Sequence, residues 1–167
     1  MQAKQATEHI WWVGALDPDL RVFDIIMHSD YGTTYNSYLL RGSQKTALFE
    51  TVKEKFFDQH LEEIRQVMDP ADIDYIVVNH TEPDHSGSVA KMLEIAPNAT
   101  VLGSQTAIAF LKEIVNKPFR HQAVTEKDVI DLGGLSLHFL SVPMLHWPDS
   151  MYTWVPEEKA LFTCDSF

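Results

Sequence analysis

The stretch Asn79-His80-Thr81-Glu82-Pro83-Asp84-His85-Ser86-Gly87 decides how this chain is read. Two imidazoles and two carboxylates fall within residues 80–85. Before them runs Ile73-Asp74-Tyr75-Ile76-Val77-Val78-Asn79, a short apolar segment rich in branched residues, as expected of a strand covered on both faces. After them, residues 86–95 read as a helix. Loops that leave strand ends are where α/β proteins bind their ligands. Pro83 lacks an amide proton and disfavours helix at Glu82, so the stretch reads as a shaped loop. Alternate residues of such a loop point different ways, which sends His80 and Glu82 toward one metal and Asp84 and His85 toward a neighbour. The plainer reading is an acidic helix N-terminus, with Asp84 or Ser86 as N-cap and the histidines in solvent. Four potential metal ligands together at the end of an apolar strand favour the metal.

Upstream, residues 9–13, 21–27, 34–40 and 46–50 read as strands separated by turn formers such as Ser29-Asp30-Tyr31-Gly32. Residues 53–68 place Phe56, Phe57, Leu61, Ile64 and Val67 at helical spacing. Downstream, 100–103 reads as a strand and 105–115 as a helix, and the pattern then returns to β. Residues 120–124, 129–131 and 135–142 are strands, with Gly133-Gly134 as a turn, and 151–155 pairs with 160–164 across Pro156-Glu157-Glu158-Lys159. Strands, then strand–helix alternation, then strands again predict an α/β (α+β) chain with a mixed sheet and helices on one side. Its last residues, Cys164-Asp165-Ser166-Phe167, follow an apolar strand with nothing to cap it. Residues 1–167 therefore read as one domain, incomplete at its C-terminus.

A chain of 167 residues with 45% apolar side chains is long enough to bury a core, and 22% charged residues with scattered aromatics mark it as globular. The net charge of −11, without any Lys/Arg cluster, argues against nucleic acid or an anionic membrane as partner. It is compatible with cations or a basic patch on another protein, although a solvated acidic face is the commoner explanation. The first residues lack the apolar run of a signal peptide, and no window reaches transmembrane length. The single cysteine, Cys164, excludes a disulfide within these residues, fits a reducing cytosol, and reads as an inert buried thiol at the end of Ala160-Leu161-Phe162-Thr163.

Two more candidate ligands lie downstream. His146 stands in the loop Met144-Leu145-His146-Trp147-Pro148-Asp149-Ser150, after a strand, and Asp165 follows another. Alone, each reads as a structural hydrogen-bonder or a turn residue. They become ligands because the cluster at His80 needs distant groups to close its shell. Of the other histidines, His60 reads as a surface residue of the helical run, His121 and His138 as structural, and His28 as a residue at a cleft mouth; His9 shows no grouping.

The pattern His80-x-Glu82-x-Asp84-His85, then His146, then Asp165 resembles the metallo-β-lactamase-like domain of flavodiiron proteins, cytosolic oxygen and nitric oxide reductases. Gly32-Thr33-Thr34-Tyr35-Asn36-Ser37-Tyr38-Leu39 and the strand entering His80 carry the same likeness, which covers nearly the whole chain. The resemblance implies a truncated αβ/βα sandwich. It implies that His80, Glu82 and His146 hold one iron, Asp84 and His85 the second, and that Asp165 bridges. Two metals sharing a carboxylate sit roughly 3.5–4 Å apart, close enough to take both ends of a diatomic. Trp147 is implied at the site's edge, near the electron donor FMN. That flavin belongs to a flavodoxin-like domain absent from these residues, and it acts from a partner subunit of a homodimer or tetramer. A further histidine ligand beyond Asp165, a rubredoxin-like electron donor and a cytoplasmic location are also implied.

Hydrolases of this fold carry His-x-His-x-Asp-His, whereas here the second position is Glu82. A carboxylate in place of an imidazole hardens the site and adds negative charge, which suits non-haem iron better than zinc. Two alternatives stay open at this point: a zinc hydrolase with one changed ligand, and a metal-free scaffold domain.

Overall fold

The computed structural model describes residues 2–23 and 25–166. In chain order the first elements are strands β1 (Lys4–Gln5), β2 (Ile10–Trp12), β3 (Ala15–Asp17), β4 (Val22–Phe23), β5 (Met27–His28), β6 (Thr33–Tyr35), β7 (Tyr38–Arg41) and β8 (Thr46–Phe49). There follow α1 (Phe57–Arg65), β9 (Tyr75–Val78), α2 (Pro83–Ser86), α3 (Val89–Ile95), β10 (Thr100–Gly103), α4 (Gln105–Val115) and β11 (His121–Ala123). The chain then forms β12 (Val129–Asp131), β13 (Ser136–Ser141), β14 (Met151–Val155) and β15 (Ala160–Phe162).

A seven-stranded sheet has the order β1-β2-β7-β8-β9-β10-β11, parallel from β8 onward and antiparallel before it. Its residues alternate between two cores because successive side chains of a strand point to opposite faces. Leu48, Ile76, Val78 and Val101 pack with Leu61 and Ile64 of α1, Met92 of α3 and Leu111 of α4. Ala47, Phe49, Val77 and Leu102 pack instead with Leu137 and Phe139 of β13 and Met151 and Val155 of β14. Helices thus cover one face, as the sequence pattern predicts. The late strands cover the other as a separate antiparallel sheet, β12-β13-β14-β15. Each Leu, Ile, Val or Phe buried in either core contributes about 1.5–3 kcal/mol.

Several local readings are corrected. Residues 21–27 are a small β4–β5 ribbon, not one strand, because Ile25 takes a left-handed backbone (φ 70°) between its arms. Residues 34–40 divide at Asn36-Ser37: β6 pairs with β3, while β7 joins the large sheet. The 53–68 helix opens with a 3-10 turn, Glu54–Phe56, before α1 begins. The shaped loop through Pro83 is instead one helical turn, α2, with the proline at its first position, where the missing amide costs nothing. The helix read over 86–95 starts only at Val89, since Gly87 closes α2 against the segment below. A Cβ at Gly87 would lie 2.4 Å from Pro83 O and 3.2 Å from Glu54 N. Residue 164 belongs not to a strand but to a turn, Cys164–Ser166.

His60 is not on the surface. It is fully buried on α1, with Nδ1 donating to Val13 O at 2.6 Å and Nε2 without a hydrogen-bond partner among the described residues. Burial outweighs that bond and lowers its pKa from 6.5 to about 4. The unfolded chain then takes up a proton below pH 6.5 that the folded chain refuses until about pH 4. Stability falls as pH drops through that window, by roughly 3 kcal/mol. Urea unfolding at pH 7 and pH 4.5 checks this: His60→Met is expected to flatten the slope between the two.

Candidate metal centre

The C-terminal ends of β8 and β9, the turn α2, the loop 143–150 and the turn after β15 converge on one point. β14 begins where β9 ends: Met151 N donates to Asn79 O at 3.0 Å and Thr153 Oγ1 to Asn79 Oδ1 at 2.8 Å. This pairing brings the loop that precedes β14 beside His80. On the other side, Thr51 N and Oγ1 each donate to His85 O at 2.7 Å and tie α2 to the exit of β8.

All six candidate ligands meet there, in two overlapping groups. His80, Glu82, His146 and Asp165 each bring one nitrogen or oxygen within 4.8 Å of the others, and so do Asp84, His85 and Asp165. Asp165 belongs to both. His80 Nε2 lies 3.1 Å from Glu82 Oε2, and His146 Nε2 3.5 Å from the same oxygen. Asp165 reaches His85 Nε2 with Oδ1 at 2.9 Å and His146 Nε2 with Oδ2 at 3.8 Å. Glu82 is extended (φ −57°, ψ 148°), as a residue before proline should be, and its carboxylate turns to His80 instead of capping α2. Asp84 and Ser86 lie inside α2 and not at its N-cap, and both histidines are buried, so the plainer reading of an acidic helix N-terminus with solvent-facing histidines fails.

Burial is uneven. His80, Glu82, Asp84 and His85 are buried, while the side chains of His146 and Asp165 keep 33% and 35% of their surface and Trp147 keeps 39%. The centre is open on the His146 side. There the Trp147 ring stands edge-on to His80, with centroids 5.0 Å apart. A cleft of about 300 Å³ lined by Phe23, His28, Asp84 and Asp165 also reaches it, so His28 does line a cleft mouth. Left-handed backbone gathers around the centre: Glu50 (φ 57°), Met144 (φ 67°), His146 (φ 131°) and Cys164 (φ 45°). Such conformations store strain at functional sites.

Two carboxylates escape the sequence reading. Asp149, fully buried, accepts from Thr81 N and Oγ1 at 2.7 Å and faces His80 Nδ1 at 3.3 Å. Glu50 accepts from Asn79 N at 2.8 Å and faces His85 Nδ1 at 3.7 Å. Both sit behind the histidines, on the ring nitrogen that points away from the centre, where carboxylates fix a metal ligand's tautomer. Their sequence signals are faint: Glu50 ends the apolar run Ala47-Leu48-Phe49, and Asp149 is one acid in a polar loop.

Electrostatics show groups competing for positive charge. Burial pulls His85 down, but its bond to Asp165 and the charges of Glu50, Asp165 and Asp84 push it up to about 9. Burial likewise opposes a charged His80, yet Asp149 and Glu82 hold its pKa above the ordinary value. Burial raises Glu50 to about 7 and raises Asp84. Asp84 Oδ1 is buried without a hydrogen-bond partner among the described residues. A cation among these oxygens would satisfy that orphaned atom and take the place of the protons, so the residues fit a metal pair. Burial also pushes the Cys164 thiol up to about 12, which keeps it protonated and unreactive, though it is half-buried and not fully enclosed.

Residues 33–167 match the model of the family described as ODP family beta lactamase. The flavo-diiron protein FprA2 of Clostridium acetobutylicum is 48% identical over 99% of this chain and 42% of its own length. A nitric oxide reductase of Moorella thermoacetica is 44% identical over 96% of this chain and 41% of its own. The structure of rubredoxin oxygen:oxidoreductase from Desulfovibrio gigas superposes with a TM-score of 0.91 at 35% identity, covering 96% of this chain and 40% of that one. The chain thus spans about two fifths of the length of the relatives it matches. With a family model matched over most of its residues and a flavo-diiron protein 48% identical over 99% of the chain, the chain belongs to the ODP family of beta lactamases, the metallo-β-lactamase-like domain of flavodiiron proteins.

Proposed function

We propose that this chain supplies the two-iron centre of an oxidoreductase that reduces O2 to water, NO to N2O, or both. The observation that carries the reading is the donor set: three carboxylates, Glu82, Asp84 and Asp165, and three imidazoles, His80, His85 and His146, brought into two groups that share Asp165. His80, Glu82 and His146 would hold one iron, Asp84 and His85 the other, and Asp165 both. Iron held by these residues would supply electrons and open positions for a diatomic ligand. The names of the Moorella and Desulfovibrio relatives, a nitric oxide reductase and a rubredoxin oxygen:oxidoreductase, support both substrates and a rubredoxin-like donor.

The chain's own residues would set the charge and the access. Three carboxylates offset most of the charge of two divalent ions and favour the ferric state after turnover. His80, Glu82, Asp84 and His85 would form the enclosed part of the centre, while access would come at His146 and Trp147 and through the cleft lined by Phe23 and His28. Trp147, exposed at that mouth and packed on His80, would mark where electrons enter from FMN. The flavin would be held outside residues 1–167, on a partner subunit of a homodimer or tetramer, in the cytoplasm. Among the described residues no helix is long and apolar enough to cross a membrane.

Elemental analysis of the chain produced without oxygen, with iron and zinc both supplied, tests this. Iron is expected in preference to zinc, at up to two per chain. Zinc alone would move the assignment to a hydrolase. Glu82→His is expected to shift the balance toward zinc, and an unmoved balance would remove the argument from ligand hardness.

A further inference from the structure

We infer that Asp149 is a positioning residue for the metal position of His80, Glu82 and His146, joining the two segments that carry its ligands. The inference rests on the metal reading of that site. His80 leaves the end of β9, whereas His146 stands in the loop before β14, and the pairing of Met151 and Thr153 with Asn79 brings the two ends together. Asp149 ties them a second time. Its Oδ2 accepts from Thr81 N and Oγ1 at 2.7 Å, next to His80 in the chain, and faces His80 Nδ1 at 3.3 Å. Its backbone O accepts from Ser104 Oγ at 2.8 Å, the residue that caps α4, which anchors the loop to a rigid helix start. Around it the loop is tightened by Trp147 N donating to Ser150 Oγ at 3.0 Å and Met144 N to Trp147 O at 2.9 Å.

Two consequences follow from this placement. A carboxylate on Nδ1 keeps the proton there, so Nε2 presents its lone pair to the centre, and the negative charge makes that nitrogen a better donor. Together with the pairing of Met151 and Thr153 to Asn79, the same carboxylate also fixes how far the loop stands from β9, and so where His146 arrives opposite Glu82. Asp149 has no solvent around it, with a side chain 0% exposed, so no water replaces these bonds when they are lost.

Asp149→Asn keeps the shape and the acceptor oxygen but removes the charge. The probe is Co2+, a spectroscopically visible stand-in for Fe2+, titrated into the chain and into the variant. Affinity of the variant is expected to drop by roughly 10–100-fold, with a change in the visible d–d bands. The same change in a His80→Ala background separates a role through His80 from general support. Threefold or less is expected there, because the ligand through which Asp149 acts is gone. Equal losses in both backgrounds, or a variant within threefold of the parent, would overturn the inference. If Asp149→Asn does not fold, Thr81→Val takes its place in both backgrounds, removing one donor to the same oxygen, with a smaller loss expected in the same pattern. A parent chain that takes up no Co2+ would remove the metal reading and Asp149's role together, whereas a binding parent with an unaffected variant removes Asp149's role alone.

Discussion

Asp165→Asn is expected to leave the chain folded but unable to hold a metal pair. Every other candidate ligand belongs to one of the two groups, whereas Asp165 belongs to both. Its oxygens divide between them, Oδ1 on His85 and Oδ2 toward His146. An amide keeps one weak acceptor and replaces the other oxygen with a donor, which turns an attraction for a cation into a repulsion. Loss of a supporting carboxylate behind a ligand costs roughly 10–100-fold in metal affinity, and loss of a shared ligand is expected to exceed that for the second metal bound. The stoichiometry of the variant should fall to one per chain or below. The fold has little stake in the residue, since its side chain is 35% exposed and lies outside both main cores. Thermal midpoints of metal-free parent and variant are therefore expected to agree within a few degrees. Elemental analysis with a parallel melting curve decides the matter. Two metals retained at full affinity would show that Asp165 does not bridge, and a large drop in midpoint would show that its role is structural.

Much of this was readable from residue order, and the boundary between what was and was not is physical. The strand into His80 and the helix 105–115 are long, strongly patterned segments, and α4 has those bounds. The six candidate ligands were legible because four are adjacent in sequence and the other two stand after apolar strands. Asp149 and Glu50 were not. A carboxylate behind a histidine is defined by where a second strand end arrives, and that is set by the pairing of β14 with the exit of β9. His60 was misread for a related reason. Its position on the helical wheel is ambiguous, and what buries it is Val13 O, 47 residues earlier in the chain. The two sheets were legible as strands but not as separate layers, since alternation tells which residues share a face and not which sheet lies over it.

Phe49→Ala carries the largest expected cost to the fold, because Phe49 joins the two layers that the pattern left undivided. It is the last residue of β8, fully buried, and its ring lies flat on Phe162 of the second sheet, with centroids 3.8 Å apart and planes within 5°. Truncation removes the ring's burial and leaves a void that close-packed neighbours fill only in part, about 3–5 kcal/mol together, including the loss of stacking. For a chain of this size that corresponds to roughly 6–20 °C in melting temperature. Phe49→Leu keeps most of the volume and is expected to cost only about 1–2 kcal/mol. The position also bears on the metal centre. Phe49 pairs in register with Val77, two residues before Asn79, and Glu50 follows it directly with its left-handed backbone held by Ser37 Oγ donating to Glu50 O at 2.9 Å. A loosened β8 end frees Glu50 behind His85 while Asp149 still holds His80. Metal-free melting curves and Co2+ titration of the same variant thus report two different things. A loss below about 1.5 kcal/mol would show that the sheets close over the void. The full expected loss of about 3–5 kcal/mol with Co2+ affinity unchanged would show that the end of β8 is positioned by α2 and not by the core beneath it.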